Sequence, residues 1–311
     1  MDRHCPRVIY IGGYGRSGST LLDILLGVHP DIESAGEIVH FLTEMEQRGS
    51  RCSCGQSTAN CLRWGKCFDH VSKILHDAGQ SLNTAQRVQR RCESPLSLVG
   101  GATGWGGFAA EAPSYGTVQR AVLSSMVQNS RDARYVVDSS KTASIMGGRP
   151  FALKSMADCP VYFVHLVRKP ESVVGSLLRG DNLLLQRGDE SVRHDRVVKG
   201  LIGWTMANMA ALMTGKLLGE QQSILIRYED LTREPARTFE RLAGFLGLDA
   251  EPWQDAVGGK PLMRTWHIFS GNRMRHDRVK LLSPARQEDI PFLYGFLCRL
   301  LCGPLKRKLG Y

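Results

Sequence analysis

Val8-Ile9-Tyr10-Ile11-Gly12-Gly13-Tyr14-Gly15-Arg16-Ser17-Gly18-Ser19-Thr20, near the amino end of a 311-residue chain, sets a short apolar run against a glycine-rich turn. The run reads as a buried strand. Beyond the turn, Leu21, Leu22, Leu25 and Leu26 lie at helical spacing, so a helix is predicted over residues 19–28. His29-Pro30 ends it, because the residue before a proline avoids helical angles. Strand, glycine turn and helix start form a phosphate-binding arrangement: backbone N–H groups point into the turn, and the helix amino end adds positive potential.

Three motif readings compete for this turn. Gly13 and Gly18 have nucleotide-triphosphatase spacing, but that motif needs lysine where Ser19 stands, which disfavours ATP or GTP hydrolysis. Gly13, Gly15 and Gly18 also match G-x-G-x-x-G, with Glu37 about 20 residues on, as in NAD(P)-dependent oxidoreductases. In that reading no clear second strand delivers Glu37. Third, Arg16-Ser17-Gly18-Ser19-Thr20 resembles the 5′-phosphosulfate loop of sulfotransferases that use PAPS (3′-phosphoadenosine-5′-phosphosulfate).

A second segment decides between them. The apolar run over residues 161–167 ends at Arg168; Pro170 opens a helix, and Ser176 follows eight residues after the arginine. An arginine at a strand end and a serine two helical turns on can grip one phosphate. This pair resembles the 3′-phosphate site of the same family, and a nicotinamide enzyme has no need of it. Tyr228-Glu229-Asp230 resembles the family's segment near the adenine, and Gly271-Asn272-Arg273 its basic loop over the 3′-phosphate end. The matches run in family order from residue 8 to about 275.

The resemblance implies a donor site made of Gly15, Arg16, Ser17, Gly18, Ser19, Thr20, Arg168, Ser176, Tyr228, Gly271, Asn272 and Arg273. It implies transfer of a sulfuryl group to a hydroxyl or amine, releasing PAP (adenosine 3′,5′-bisphosphate). A cation must sit on the leaving oxygen, which assigns Arg16. No Lys-Thr-His base segment occurs. Ser34-Ala35-Gly36-Glu37 instead resembles the Gly-Glu of the tyrosylprotein and bacterial branches, where the glutamate is the base. Lys141, in Asp138-Ser139-Ser140-Lys141 after a strand, is placed to hold a sulfuryl oxygen. The chemistry needs no metal. A PAP-binding protein without turnover is the non-catalytic alternative.

Further strands are predicted over residues 134–137 and 223–227, each followed by a helical pattern. Residues 235–246, with Phe239, Leu242, Ala243 and Leu246 on one face and Gly247 after, are the clearest helix. Other helices are predicted over 37–48, 192–217 and 284–301. Alternating strands and helices give an α/β fold, a parallel sheet with helices on both faces, in one domain over residues 1–311. Residues 50–115 look least regular, with glycines at 100–107, and read as an insertion or lid. His165 and Trp204 read as core.

The net charge of +10 suits a small anionic ligand; with no basic tail, nucleic acid is not expected as a partner. The acceptor is a small molecule, carbohydrate, lipid or natural product. Without a secretory leader or an apolar span, a cytoplasmic protein with mostly reduced cysteines is expected. Of its nine cysteines, Cys52, Cys54, Cys61 and Cys67 lie close together. Zinc, a disulfide and plain thiols are all open, since structural zinc sites usually show two C-x2–4-C pairs. Cys-x-Cys-Gly with Cys61 and Trp64 also resembles a feature of bacterial sulfotransferases, and its position suggests a part in shaping the acceptor pocket.

Overall fold

A computed structural model describes residues 5–47, 49–103, 108, 110–128, 133–142, 147–178, 193–260, 266–276 and 289–311. The chain runs β1 (Arg7–Gly12), α1 (Ser19–Leu26), β2 (Ile32–Ser34), α2 (Phe41–Gln47), α3 (Trp64–Asp77), α4 (Leu82–Cys92), α5 (Pro95–Thr103) and α6 (Ala112–Val127). It continues through β3 (Tyr135–Asp138), α7 (Arg149–Ser155), β4 (Val161–Val167), α8 (Pro170–Leu178), α9 (Arg193–Leu218), β5 (Ser223–Arg227), α10 (Tyr228–Arg233) and α11 (Pro235–Leu246). Near the carboxyl end, Phe292–Leu297 and Gly303–Lys308 are helical, joined by a π turn.

All strand pairs are parallel, in the order β2-β3-β1-β4-β5. Strand alternation sends side chains to opposite faces. Ile9, Ile11, Tyr135, Val137, Val164 and Leu166 meet the leucines of α1 and the apolar face of α11. Val8, Tyr10, Val136, Val161 and Phe163 meet α3, α4 and α6 on the other side. The predicted α/β architecture, helices on both faces of a parallel sheet, is the one observed. From β1 the order runs to β3 and β2 on one side and to β4 and β5 on the other, so the carboxyl end of β1 is the switch point where such sheets bind ligands.

The structure departs from the sequence reading in four places. A second strand does precede Glu37, but β3 separates it from β1. Dinucleotide-binding sheets set β2 beside β1, so the G-x-G-x-x-G reading loses its geometry. Residues 64–103 are not irregular. They carry α3, α4 and α5, and Trp64, Phe68, Val71 and Leu75 on α3 join the core beside β1. Of the glycine stretch, residues 100–103 end α5 and 104–107 lie outside the described residues. The predicted final helix begins only after Pro291, whose extended backbone precedes Phe292; residues 284–288 lie outside the described residues. Finally, Cys5 and Cys159 form a disulfide and the other seven cysteines are free.

Candidate active site

Each of the five strands is followed, at its carboxyl end, by a residue of one site. Arg16 follows β1, Glu37 follows β2, Lys141 follows β3, Arg168 follows β4 and Tyr228 follows β5. Gly15, Arg16, Gly18, Ser19, Thr20, Glu37, Lys141, Arg168, Ser176 and Asn272, together with Leu21 and Met274, line one cleft of about 330 Å³. Ligand pockets occupy roughly 300–1,000 Å³. Glu37 is the single carboxylate against three cationic side chains among the described lining residues, so the cleft is built for an anion.

The turn between β1 and α1 depends on glycine. Gly18 has φ +91°, and a Cβ there would stand 2.4 Å from the Tyr228 ring. Tyr228 therefore supports the loop from beneath, and the Arg168 guanidinium lies 4.5 Å from the same ring. Arg16 and Lys141 also hold left-handed backbone, at φ 65° and 68°. Side chains with a Cβ avoid that region at a cost of about 1–2 kcal/mol, and such residues gather at functional sites.

The glycine turn after β1 and the segment from Arg168 to Ser176 meet. Arg16 Nη1 donates to Ser176 Oγ at 3.4 Å, and Arg168 Nη1 donates to the Arg16 carbonyl at 3.1 Å. They form one continuous wall, not two separate pockets. Arg168 Nε and Ser17 Oγ are buried with no protein hydrogen-bond partner among the described residues. Buried donors are seldom left so, and Arg168 lines the cleft, where a ligand acceptor would satisfy its Nε. Ser17 sits under the loop and does not face the cleft directly.

Glu37 pairs with Lys141 Nζ through Oε1 and lies 3.5 Å from His40 Nε2 through Oε2. Burial pushes its pKa up, but the hydrogen bond from His40 and the Lys141 charge outweigh that, and the carboxyl is held below its ordinary value. Gly36, before it, has φ +85°; a Cβ would stand 2.6 Å from the Ser270 carbonyl and 2.7 Å from Ile268. The strap of residues 266–276 thus packs directly behind Glu37. Gly271 lies beside Thr20 and Glu37, and Asn272 N donates to Thr20 Oγ1 at 3.2 Å. The Arg273 side chain lies outside the described residues. Of the two core expectations, His165 is buried with Nε2 2.8 Å from Asn208, burial lowering its pKa to about 4, and Trp204 is fully buried.

Sequence reading missed Asp23. A carboxylate inside Leu21-Leu22-Asp23-Ile24-Leu25 was the available signal, since acidic residues are rarely fully buried. Its Oδ2 accepts from Gly36 N at 3.1 Å and Ser139 Oγ at 2.8 Å, tying the turns that carry Glu37 and Lys141 to α1. Burial, opposed by the hydroxyls of Ser139 and Ser34, raises its pKa from 3.8 to about 7. The folded chain thus keeps a proton that the unfolded chain has released, so this group's contribution to stability is lost as pH rises from about 4 to about 7. Asp23→Asn is expected to remove that dependence. Its stability relative to the parent should rise on the order of 4 kcal/mol between pH 4 and pH 8 in urea titrations. An unchanged pH slope would refute a raised pKa.

Residues 6–255 match the model described as "Sulfotransferase family". Two solved structures share the fold. The sulfotransferase domain from the Synechococcus PCC 7002 olefin synthase is 19% identical with a TM-score of 0.51, covering 98% of this chain and 97% of its own. The sulfotransferase domain from the curacin biosynthetic pathway is 18% identical with a TM-score of 0.53, covering 98% and 99%. No curated protein matches the sequence. The family match contains every strand of the sheet and the cleft residues that follow β1 to β4, and the chain belongs to the sulfotransferase family.

Proposed function

We propose that this protein transfers a sulfuryl group from PAPS to a hydroxyl of a small molecule, with PAP as the second product. The observation that carries the reading is one cleft lined by Arg16, Arg168, Ser176 and Glu37. Arg168 and Ser176 hold the 3′-phosphate, while the loop from Gly15 to Thr20 holds the 5′-phosphosulfate. The orphaned Nε of Arg168 favours an anion there. The acceptor oxygen attacks sulfur, the bond to the bridging oxygen breaks, and PAP leaves with that electron pair. Arg16 neutralises the leaving oxygen. Arginine is always charged and cannot donate its proton, so its role is electrostatic.

Glu37 takes the acceptor's proton. It is ionised because Lys141 and His40 hold its pKa down. An anionic sulfuryl group draws Lys141 toward itself and frees Oε1 for the acceptor. The neighbours named above are domains of an olefin synthase and of a biosynthetic pathway, which supports a small-molecule acceptor. A cytoplasmic setting belongs to the same proposal; among the described residues no helix is long and apolar enough to cross a membrane.

Calorimetric titration with PAP tests the donor site. Arg168→Ala is expected to weaken binding roughly 10- to 150-fold, the worth of hydrogen bonds to a charged group. Ser176→Ala should weaken it several-fold. Undiminished PAP affinity in Arg168→Ala would remove the assignment. PAP binding without turnover of PAPS on any hydroxyl acceptor would leave the non-catalytic alternative.

A further inference from the structure

Away from the cleft, three of the clustered cysteines gather around a histidine that follows them by more than two hundred residues. Cys61 Sγ lies 3.6 Å from Cys52 Sγ, 3.8 Å from Cys54 Sγ and 3.2 Å from His267 Nδ1. Cys52 Sγ lies 3.9 Å from the same Nδ1. All four atoms fall within 4.8 Å of one another. Cys67 is not part of the group; its Sγ turns to the Val122 carbonyl, 3.9 Å away.

These separations are those of a tetrahedron around a single ion. Zinc–sulfur bonds of about 2.3 Å place ligand sulfurs about 3.8 Å apart, and a nitrogen bonded at about 2.0–2.1 Å lies about 3.5 Å from each sulfur. An iron–sulfur cluster would divide its ligands between separated irons and hold them farther apart. Soft thiolates with one imidazole select zinc among available divalent ions. Cys52 and Cys61 are buried, and Cys54 and His267 are half-buried, which suits a closed structural site.

The backbone around the four is already shaped to present them. Gly55, at φ 92°, turns the Cys52–Cys54 loop back so that its N donates to the Cys52 carbonyl at 2.9 Å. Ser53 N donates to the Ile268 carbonyl at 2.9 Å, and Ile268 N donates to Ser53 Oγ at 2.9 Å. Trp64 Nε1 donates to the His267 carbonyl at 2.6 Å, and its ring meets Phe269 edge-on at 4.6 Å. Burial lowers the Arg275 pKa, and the nearby Glu37 and Cys52 oppose that. Three thiolates and a histidine around a divalent ion carry one net negative charge, which that guanidinium offsets.

We propose that Cys52, Cys54, Cys61 and His267 bind one zinc ion, which clamps the start of α3 to the strap of residues 266–276. The ion is structural: all four of its positions are filled by protein, so it has no open site for chemistry. It fixes His267 four residues before Gly271, and so fixes the wall behind Gly36 and Glu37. The site stands whether or not the cleft transfers sulfuryl groups.

Elemental analysis of the full chain, purified under reducing conditions without added chelator, is the test. About one zinc per chain is expected. Cys54→Ser and His267→Ala should each lose most of it. Stripping the parent with a strong chelator should lower Tm and speed amide exchange across residues 266–276 while leaving β1 protected; adding Zn²⁺ should reverse both. Absence of zinc in the parent, even after incubation with Zn²⁺, would overturn the proposal. So would full zinc content in both variants, or a disulfide between any two of the three cysteines in the intact mass. None of these readouts uses sulfuryl transfer, and PAP binding by a zinc-free chain would leave the proposed function standing.

Discussion

Arg149→Met is expected to destabilise the folded chain by about 3–5 kcal/mol, the cost of leaving buried charges without their partner. Arg149 is fully buried. Its Nε donates to Asp138 Oδ2 at 2.7 Å, and its Nη1 to Glu93 Oε1 and, at 3.0 Å, to Gln119. Glu93 also accepts from Tyr115 at 2.9 Å and from Gln89 at 3.0 Å. One side chain therefore joins α4, α6 and the end of β3. Burial raises the Glu93 pKa, and the Arg149 charge opposes it. With methionine in place the opposition is gone, and Glu93 takes up a proton in the folded state. The folded state then holds more protons than the unfolded one, so the variant loses stability as pH rises. Urea titrations at pH 5 and pH 8 should show the larger deficit at pH 8. A deficit under 1 kcal/mol at both would mean that the network adds little beyond shape. The same network reaches the cleft: Asp138 Oδ1 accepts from Ser140 N at 3.0 Å, just before Lys141.

Glu37→Gln is expected to lower turnover of PAPS by about 10²- to 10⁴-fold, the usual worth of a positioned base. Glutamine keeps the size and can still accept from Lys141, but it cannot take a proton. PAP affinity should change little, separating this variant from Arg168→Ala. In the parent, the low Glu37 pKa places the acid limb of kcat/KM below pH 4.5, since activity falls as the base is protonated. Turnover undiminished in Glu37→Gln would reassign the base. His40, 3.5 Å from the same carboxylate, is the next group to examine.

Much of the fold was legible because its strands are short apolar runs ended by glycine, arginine or tyrosine. β4 and β5 fall on the predicted residues, and Gly247 ends α11 in left-handed conformation as expected. β2 escaped because three residues with a central glutamate carry no alternation. α4 escaped for a different reason. Its inner face carries only the narrow stripe Leu82, Ala85, Val88 and Cys92, interrupted by the buried Gln89. The loop residues of the cleft were readable because their local motifs resemble those of sulfotransferases; in the structure each follows a strand end. Asp23, Arg149 and His267 were not. Their partners come from distant segments, and a charged residue in sequence is read as solvated until the fold brings its counterpart. The cysteine spacing looked irregular because its fourth member lies 206 residues from Cys61.

Arg16 and Lys141 occupy turns that a glycine would adopt with less effort. The chain thus folds around two sprung hinges, each loaded by the charge that it presents. Easing either hinge would favour the folded state and empty the cleft of a cation. Resistance to heat and readiness for an anion therefore pull in opposite directions at these two positions.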